Sequence, residues 1–230
     1  MGRLAAFVVA LAALLGMAGA HPPPVSVYQT VSMDGPLTHI AVIGDSYTNG
    51  TDLGGQGPKA WTARAWQALA HQGLPLAPDV AAEGRAGYGV RGDHGSNFED
   101  LTTRAVKADD ALVVFFGSRN DQGVDTESLA ELSRASFELA RRVAPSARLL
   151  VIGPPWPTAD VPFAVLQIRD ILSAAARGVG AAFVDPLAQH WFVGRPDLIG
   201  ADGVHPNDAG HAYLADKIAP LIRAQLPPRP

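Results

Sequence analysis

Short apolar runs alternate along this chain with longer stretches in which apolar residues recur at helical spacing. The short runs are β-branched or aromatic, and glycine or polar residues bound them. Runs of this length and composition predict buried strands. They cover residues 38–43 (THIAVI), 112–116 (LVVFF), 148–152 (RLLVI) and 182–184 (AFV).

The longer stretches place apolar residues three and four positions apart, which predicts helices with one buried face. They cover residues 58–70, 129–143, 165–176 and 208–226. Pro58 suits the first turn of the first of them, because its fixed φ is compatible with a helix start. Strands that alternate with helices favour an α/β fold, here a three-layer α/β/α sandwich with a mainly parallel central sheet.

The first 36 residues have a different pattern. Residues 1–20 contain Arg3, an apolar run of about 14 residues, and the small-residue sequence AGA, which together predict a signal peptide. The run is shorter than the roughly 20 residues that span a bilayer. We therefore expect the leader to be removed near His21 and the mature protein to be secreted or associated with the cell envelope. Proline-rich residues 21–36 predict an extended lead-in, and residues 37–230 a single domain.

Composition narrows the classes of function. The chain of 230 residues is 47% hydrophobic and 17% charged, with a net charge of −4 and scattered basic residues. This balance predicts a packed globule and argues against a nucleic-acid partner. The chain has no cysteine, which excludes disulfides and a thiol nucleophile. Its seven histidines lack metal-ligand spacing. We expect a monomer that needs no metal or cofactor.

The loops that follow the predicted strands are where a site is expected, because open parallel sheets bind ligands beyond the carboxyl ends of their strands. Ser46 follows the first strand in GDSYTNG, and glycines on both sides allow a tight backbone path. A lone serine in this position is more often a helix cap or turn residue. To act as a nucleophile it needs a base within hydrogen-bonding reach and a group that orients the base.

Three further segments could supply the missing groups. Asp202 and His205 in DGVHP place a carboxylate and an imidazole three residues apart. Asn120 in GSRND follows an apolar strand, and Gly87 lies in the glycine-rich segment EGRAGYG. An amide side chain and an unobstructed backbone N–H are the donors that stabilise a developing oxyanion. Each segment taken alone is also compatible with an ordinary loop.

The four segments together, in this order, resemble the four sequence blocks of the SGNH (GDSL) hydrolase superfamily. The resemblance extends from Ile43 to His211. It implies the flavodoxin-like fold of that superfamily and a serine esterase mechanism. By position, it assigns the nucleophile and first oxyanion N–H to Ser46, the second and third oxyanion donors to Gly87 and Asn120, the orienting acid to Asp202 and the base to His205.

Two blocks depart from the superfamily pattern. The third block usually reads G-x-N-D, whereas here Ser118 and Arg119 separate the glycine from Asn120. The second block is rich in glycine, so Gly84 or Gly89 is an alternative to Gly87 as the donor. The sequence GYGVRG also matches a dinucleotide-binding fingerprint, but it continues as a predicted loop rather than a helix.

The sequence therefore predicts an exported serine esterase that acts on a small-molecule or cell-envelope ester, such as small acyl esters of carbohydrate or lipid. The alternatives are an acyltransferase with the same residues and a non-catalytic glycan-binding or acyl-binding module on the same fold. Trp156 and Trp191 follow predicted strands and are candidates for the walls of the substrate site.

Overall fold

The computed structural model describes residues 37–226 of the chain. The predicted signal peptide and the whole predicted lead-in, residues 21–36, lie outside the described residues, as do residues 227–230. The cleavage site and the start of the mature protein therefore stay predictions.

A five-stranded sheet forms the centre of the protein, and all four pairings within it are parallel. Its spatial order is β2-β1-β3-β4-β5, so the direction of winding reverses between β1 and β3. The strands are β1 (Thr38–Gly44), β2 (Leu76–Ala82), β3 (Leu112–Phe116), β4 (Arg148–Ile152) and β5 (Ala182–Val184). The loops after β1 and β3 thus meet at the point where such sheets bind ligands.

Helices cover both faces of the sheet. Alternate residues of a strand point to opposite faces, so Ile40 and Val42 pack in the cluster that contains residues of α2 and α6, whereas Ala41 and Ile43 pack with residues of α3, α4 and α5. This arrangement confirms the predicted three-layer sandwich. The helices are α1 (Ser46–Asn49), α2 (Trp61–His71), α3 (Phe98–Ala105), α4 (Thr126–Val143), α5 (Phe163–Gly178) and α6 (Asp208–Gln225), with short 3-10 helices at Gly57–Lys59, Arg119–Asp121 and Pro196–Leu198.

The sequence pattern did not predict β2 or α3. β2 is an edge strand that contains Pro78 and Asp79, and most of its residues are half-buried. It therefore lacks the continuous apolar run by which a buried strand is recognised. α3 has eight residues, too few for a clear periodic signal, and it begins at a capping box between Asn97 and Asp100.

His211 of α6 is fully buried, and its ring packs against Gly55 in the loop that follows α1. Its Nδ1 accepts a hydrogen bond from the Trp61 N–H at 3.3 Å, and its Nε2 meets no partner among residues 37–226. Desolvation lowers the pKa of His211 to about 4. The ring is therefore neutral in the native protein at physiological pH.

We expect His211 to make the native state less stable as the pH falls from 6.5 to 4. The unfolded chain binds the proton below pH 6.5, whereas the native protein binds it only below about pH 4. The resulting decrease in the free energy of unfolding reaches about 3 kcal/mol at pH 4. His211→Asn keeps an acceptor for Trp61 and removes the titration. Denaturant unfolding of the wild-type protein and the variant at pH 7 and pH 4 measures the free energy of unfolding of each. If the two proteins differ by the same free energy at both pH values, His211 is not the group that titrates.

Candidate active site

Ser46 lies at the carboxyl end of β1, where the chain turns directly into the short helix α1. Asp45 caps this helix by accepting the Tyr47 N–H on Oδ1 at 2.9 Å. Ser46 is the first helical residue, so no carbonyl within α1 accepts its N–H. The side chain is 7% exposed. The fold thus presents an ordered hydroxyl and an adjacent backbone donor at the edge of the sheet.

The DGVHP segment places an imidazole against that hydroxyl. Asp202 Oδ1 accepts the N–H groups of Val204 and His205 at 2.9 and 3.0 Å, which closes a tight turn. The other oxygen, Oδ2, lies 2.5 Å from His205 Nδ1, and His205 Nε2 lies 3.1 Å from Ser46 Oγ. The structure therefore brings together the three residues that the sequence predicted as nucleophile, acid and base.

Asp202 is held in its ionised form. Partial desolvation opposes ionisation, but hydrogen bonds from the His205 ring and from the N–H groups of His205 and Val204 outweigh it and lower the pKa of Asp202 to about 2. An ionised Oδ2 favours the tautomer with the proton on Nδ1. The Nε2 lone pair then faces Ser46 Oγ, which is the arrangement in which an imidazole can accept the hydroxyl proton.

A second carboxylate, that of Asp45, lies directly behind Ser46 and is 1% exposed. Desolvation raises the pKa of Asp45 to about 6, although the Tyr47 N–H and the Ser118 hydroxyl act in the opposite direction. Gly117 allows this carboxylate to approach the end of β3, since a Cβ there would lie 2.8 Å from Asp45 Oδ2. The role of Asp45 in linking the first and third motifs was not visible in the sequence.

The glycine-rich second motif does not present the predicted donor. The Gly87 N–H donates to the Val90 carbonyl at 2.9 Å, so the prediction that it faces the substrate oxygen is wrong for this structure. The glycine instead makes room for Asp121, because a Cβ at Gly87 would lie 2.4 Å from Asp121 Oδ1. The alternative Gly89 N–H donates to the same oxygen at 2.8 Å. The Gly84 N–H has no acceptor among the described residues.

Asn120 joins the first three motifs. Its Nδ2 donates to the Ala86 carbonyl at 2.9 Å and makes a longer contact of 3.3 Å with Asp45 Oδ2. Ser118 Oγ donates to the same Ala86 carbonyl and accepts the Asn120 N–H at 2.9 Å. The amide therefore lies beside the nucleophile turn, with both of its N–H groups directed at protein acceptors.

Tyr47 is a residue that the sequence analysis did not single out. Its hydroxyl donates to the Val204 carbonyl at 2.5 Å, and its ring centroid lies 6.2 Å from that of His205. Tyr47 follows the nucleophile and Val204 precedes the base. This contact therefore ties the two parts of the site together directly. The only sequence signal was its position next to Ser46.

The two tryptophans occupy different environments. Trp191 is 2% exposed and packs in the core near Phe116, with its indole N–H donated to Gln189. The prediction that Trp191 forms a wall of the substrate site is therefore wrong. Trp156 is half-buried on the loop after β4, and the Arg119 guanidinium lies over its ring at 4.1 Å. One face of Trp156 is thus covered by a cation.

A cleft of about 420 Å³ lies next to these loops. It is lined by residues 157–159 after Trp156, by residues 193–196, and by Ile199, Gly200 and Gly203. Gly203 belongs to the turn between Asp202 and His205, so one end of the cleft adjoins the acid-base segment. Within residues 37–226, no helix is long and apolar enough to cross a membrane, and no three His, Asp or Glu side chains converge as a metal site would require.

Comparison with known proteins finds a family model that covers most of the chain and a relative of high sequence identity. The model of the GDSL-like lipase/acylhydrolase family matches residues 42–213. A protein of Mycobacterium tuberculosis named as a GDSL lipase is 64% identical over 229 residues, which cover 98% of this chain and 99% of the relative.

Two solved structures share the fold at low sequence identity. A carbohydrate esterase family 2 enzyme of Corynascus thermopiles, solved with a carbohydrate-binding domain, is 23% identical with a TM-score of 0.65, over 83% of this chain and 67% of that one. A lipase/acylhydrolase of Enterococcus faecalis is 17% identical with a TM-score of 0.64, over 84% and 100% of the two chains.

Proposed function

Because the chain belongs to the GDSL-like lipase/acylhydrolase family, we propose that it hydrolyses carboxylic esters with Ser46 as nucleophile. The observation that carries this proposal is the continuous contact from Asp202 Oδ2 to His205 Nδ1 at 2.5 Å and from His205 Nε2 to Ser46 Oγ at 3.1 Å. A base within reach of the hydroxyl and an acid that orients the base are the two requirements of an activated serine.

In the proposed reaction, His205 Nε2 takes the proton from Ser46 Oγ as this oxygen bonds to the carbonyl carbon of the ester. Asp202 stabilises the imidazolium that forms. The carbon–oxygen bond to the alcohol then breaks, His205 returns the proton to the alcohol oxygen, and an acyl-enzyme is left on Ser46. Water repeats the sequence with His205 as base and releases the acid.

The negative charge on the carbonyl oxygen requires donors in the same place. The Ser46 N–H is available as the first amide of α1. Asn120 becomes the second donor when it exchanges its 3.3 Å contact with Asp45 for the substrate oxygen. Contacts in an unliganded site are often long and tighten only in the transition state. The Ala86 carbonyl keeps the other amide N–H and holds the side chain in place.

Asn120→Ala is expected to lower kcat by roughly 10²–10³ with little change in KM, because its amide acts on the transition-state oxygen. Steady-state kinetics with p-nitrophenyl butyrate measures both constants. Gln122→Ala is the matched control, since that exposed amide in the same loop donates to the Arg119 carbonyl and not to the site. A variant with lower melting temperature but normal kcat would show that Asn120 only joins the loops.

Tyr47→Phe is expected to lower kcat by roughly 5-fold, because a lost hydrogen bond of about 1 kcal/mol lets the Val204–His205 segment move away from Ser46. The ring remains, so its packing against Phe116 and Phe192 is kept. Steady-state kinetics with p-nitrophenyl butyrate measures the change. A folded Tyr47→Phe protein with unchanged kcat would leave the hydroxyl without a role in placing His205.

The proposed substrate class rests on the predicted leader and on the loops around the site. The proposed leader favours export, so we propose an ester outside the cytoplasm, with a small acyl group on carbohydrate or lipid. The loop 153–162 between β4 and α5 and the segment after β5 line the adjoining cleft, which has a volume of about 420 Å³. A small acyl group therefore fits the site better than a long buried chain.

The experiment that tests the proposed function is hydrolysis of p-nitrophenyl esters from acetate to palmitate by the purified protein. We expect turnover that is greatest for acetate or butyrate and unaffected by EDTA. Loss of the rate on chelation and its recovery with zinc would contradict a mechanism that uses only side chains. Product formed mainly on an added acceptor alcohol would identify an acyltransferase.

A further inference from the structure

Arg119 occupies a position beside the proposed reaction centre that the mechanism does not use. It immediately precedes Asn120, on the 3-10 helix after β3. Its guanidinium carbon lies 4.1 Å from the ring centroid of Trp156, which belongs to the loop after β4. Stacking against an indole fixes the plane of a guanidinium and hence the direction of its N–H groups.

This arginine differs from the other arginines in the loops at the same edge of the sheet. Arg85, Arg91 and Arg195 pair with Asp93, Asp100 and Asp197 at 2.7, 2.8 and 2.9 Å. Within residues 37–226, no carboxylate lies within 4.0 Å of the Arg119 guanidinium, and its Nη1 is buried without a hydrogen-bond acceptor. A buried cationic N–H without an acceptor is unfavourable in a folded protein, and an entering anionic group or a water molecule can supply one.

The guanidinium is also close to the reacting groups. Burial raises the pKa of the Tyr47 phenol, whereas the charge of Arg119 and a hydrogen bond between the two side chains act in the opposite direction. That hydroxyl donates to the Val204 carbonyl, one residue before His205. Arg119 and Trp156 are only partly buried, so a group on a bound ester can reach them from solvent.

Nearby carboxylates do not neutralise this cation. Asp202 and Asp45 also act on the Tyr47 hydroxyl. Asp202, however, is engaged by His205, and Asp45 is buried behind Ser46. The charge of Arg119 is therefore available to an anionic group that enters the site.

We propose that Arg119, oriented by Trp156, binds an anionic oxygen group of the ester substrate, either a carboxylate or a phosphate. The planar guanidinium presents paired N–H donors that match two oxygens of such a group. This inference rests on the proposed esterase function and specifies its substrate: an ester that carries a negative charge near the scissile bond. Trp156 then serves recognition by positioning Arg119 rather than by stacking on a sugar.

The test compares anionic and neutral esters of matched size. One arm uses p-nitrophenyl hemiadipate against p-nitrophenyl hexanoate and places a carboxylate on the acyl side. The second arm uses dibutyryl phosphatidate against dibutyrylglycerol and places a phosphate on the alcohol side. We expect Arg119→Gln to lower kcat/KM for the anionic member of at least one pair by roughly 10- to 100-fold, mainly through KM, the range given by one charge-assisted hydrogen bond. The neutral members are expected to change less than about threefold.

Two variants keep the test decisive. Arg119→Lys retains the charge without the paired donors, so we expect its loss of kcat/KM on the anionic ester to be smaller than that of Arg119→Gln. If Arg119→Gln does not fold, Arg119→Lys takes its place in the test. Arg91→Gln, which removes a paired arginine of the same edge, is expected to leave the ratio of anionic to neutral rates unchanged.

Equal losses on the anionic and neutral esters, or no loss, would overturn the inference and leave Arg119 as a contact between two loops. That result differs from failure of the proposed function itself, in which the wild-type protein hydrolyses none of the four esters and both proposals fall.

Discussion

Replacing Ser46 by alanine is expected to lower kcat for p-nitrophenyl butyrate by roughly 10⁶, to the rate that binding and the oxyanion donors alone sustain. His205→Ala is expected to have a loss of similar size. The hydroxyl and the imidazole act as one unit, since the base has no proton to take without the serine and the serine is a weak nucleophile without the base. The double variant should therefore be no slower than either single variant.

Unfolding of the variant is the other explanation for such a loss of kcat, and the structure argues against it. Ser46→Ala removes one oxygen from a side chain that contacts His205 Nε2. The Asp45 cap of α1 and the Tyr47 contact to Val204 remain. Its melting temperature should lie within a few degrees of the wild-type value. A folded Ser46→Ala protein that keeps more than a few per cent of the wild-type kcat would exclude Ser46 as nucleophile.

Asp202→Asn is expected to lower kcat by roughly 10⁴, the second largest effect. An asparagine Oδ1 can still accept the N–H groups of Val204 and His205, so the turn is kept. The amide nitrogen, however, would face His205 Nδ1 with a hydrogen and favour the tautomer with the proton on Nε2. The imidazole would then direct a proton, and not a lone pair, at Ser46.

The pH dependence supplies the control for this variant. The pKa of Asp202 is lowered to about 2, so in the wild-type protein this group stays ionised throughout the pH range in which the activity is measured. The acid limb of the wild-type profile must therefore belong to another group. A folded Asp202→Asn protein with near-normal kcat would remove Asp202 from the mechanism and leave a Ser46–His205 pair.

The sheet and its helices could largely be predicted from the sequence. Buried strands such as Leu112–Phe116 are continuous apolar runs, and their boundaries agree with the prediction. The sequence pattern did not predict β2, because an edge strand needs fewer apolar residues than a central strand and tolerates proline. The half-buried edge strand β5 was predicted nevertheless, because all three of its residues are apolar.

The proximity of Ser46, Asp202 and His205 could be predicted from residue type and order. The sequence could not show which acceptor each backbone N–H group would meet. Gly87 has the right residue type, but its N–H is used by the Val90 carbonyl, and only the closed loop shows this. Trp191 follows a strand as expected, yet its ring turns into the core. Such outcomes depend on packing between segments far apart in the chain.

Covalent labelling with a fluorophosphonate tests the central proposal most directly, because only an activated serine reacts readily with this reagent. The purified protein is labelled, digested, and the modified peptide identified by mass spectrometry. The structure predicts a single tag on Ser46, absent from His205→Ala and slowed but present in Asn120→Ala. A tag on another serine, or a Ser46 that stays unmodified in a protein that hydrolyses esters, would contradict the proposed mechanism.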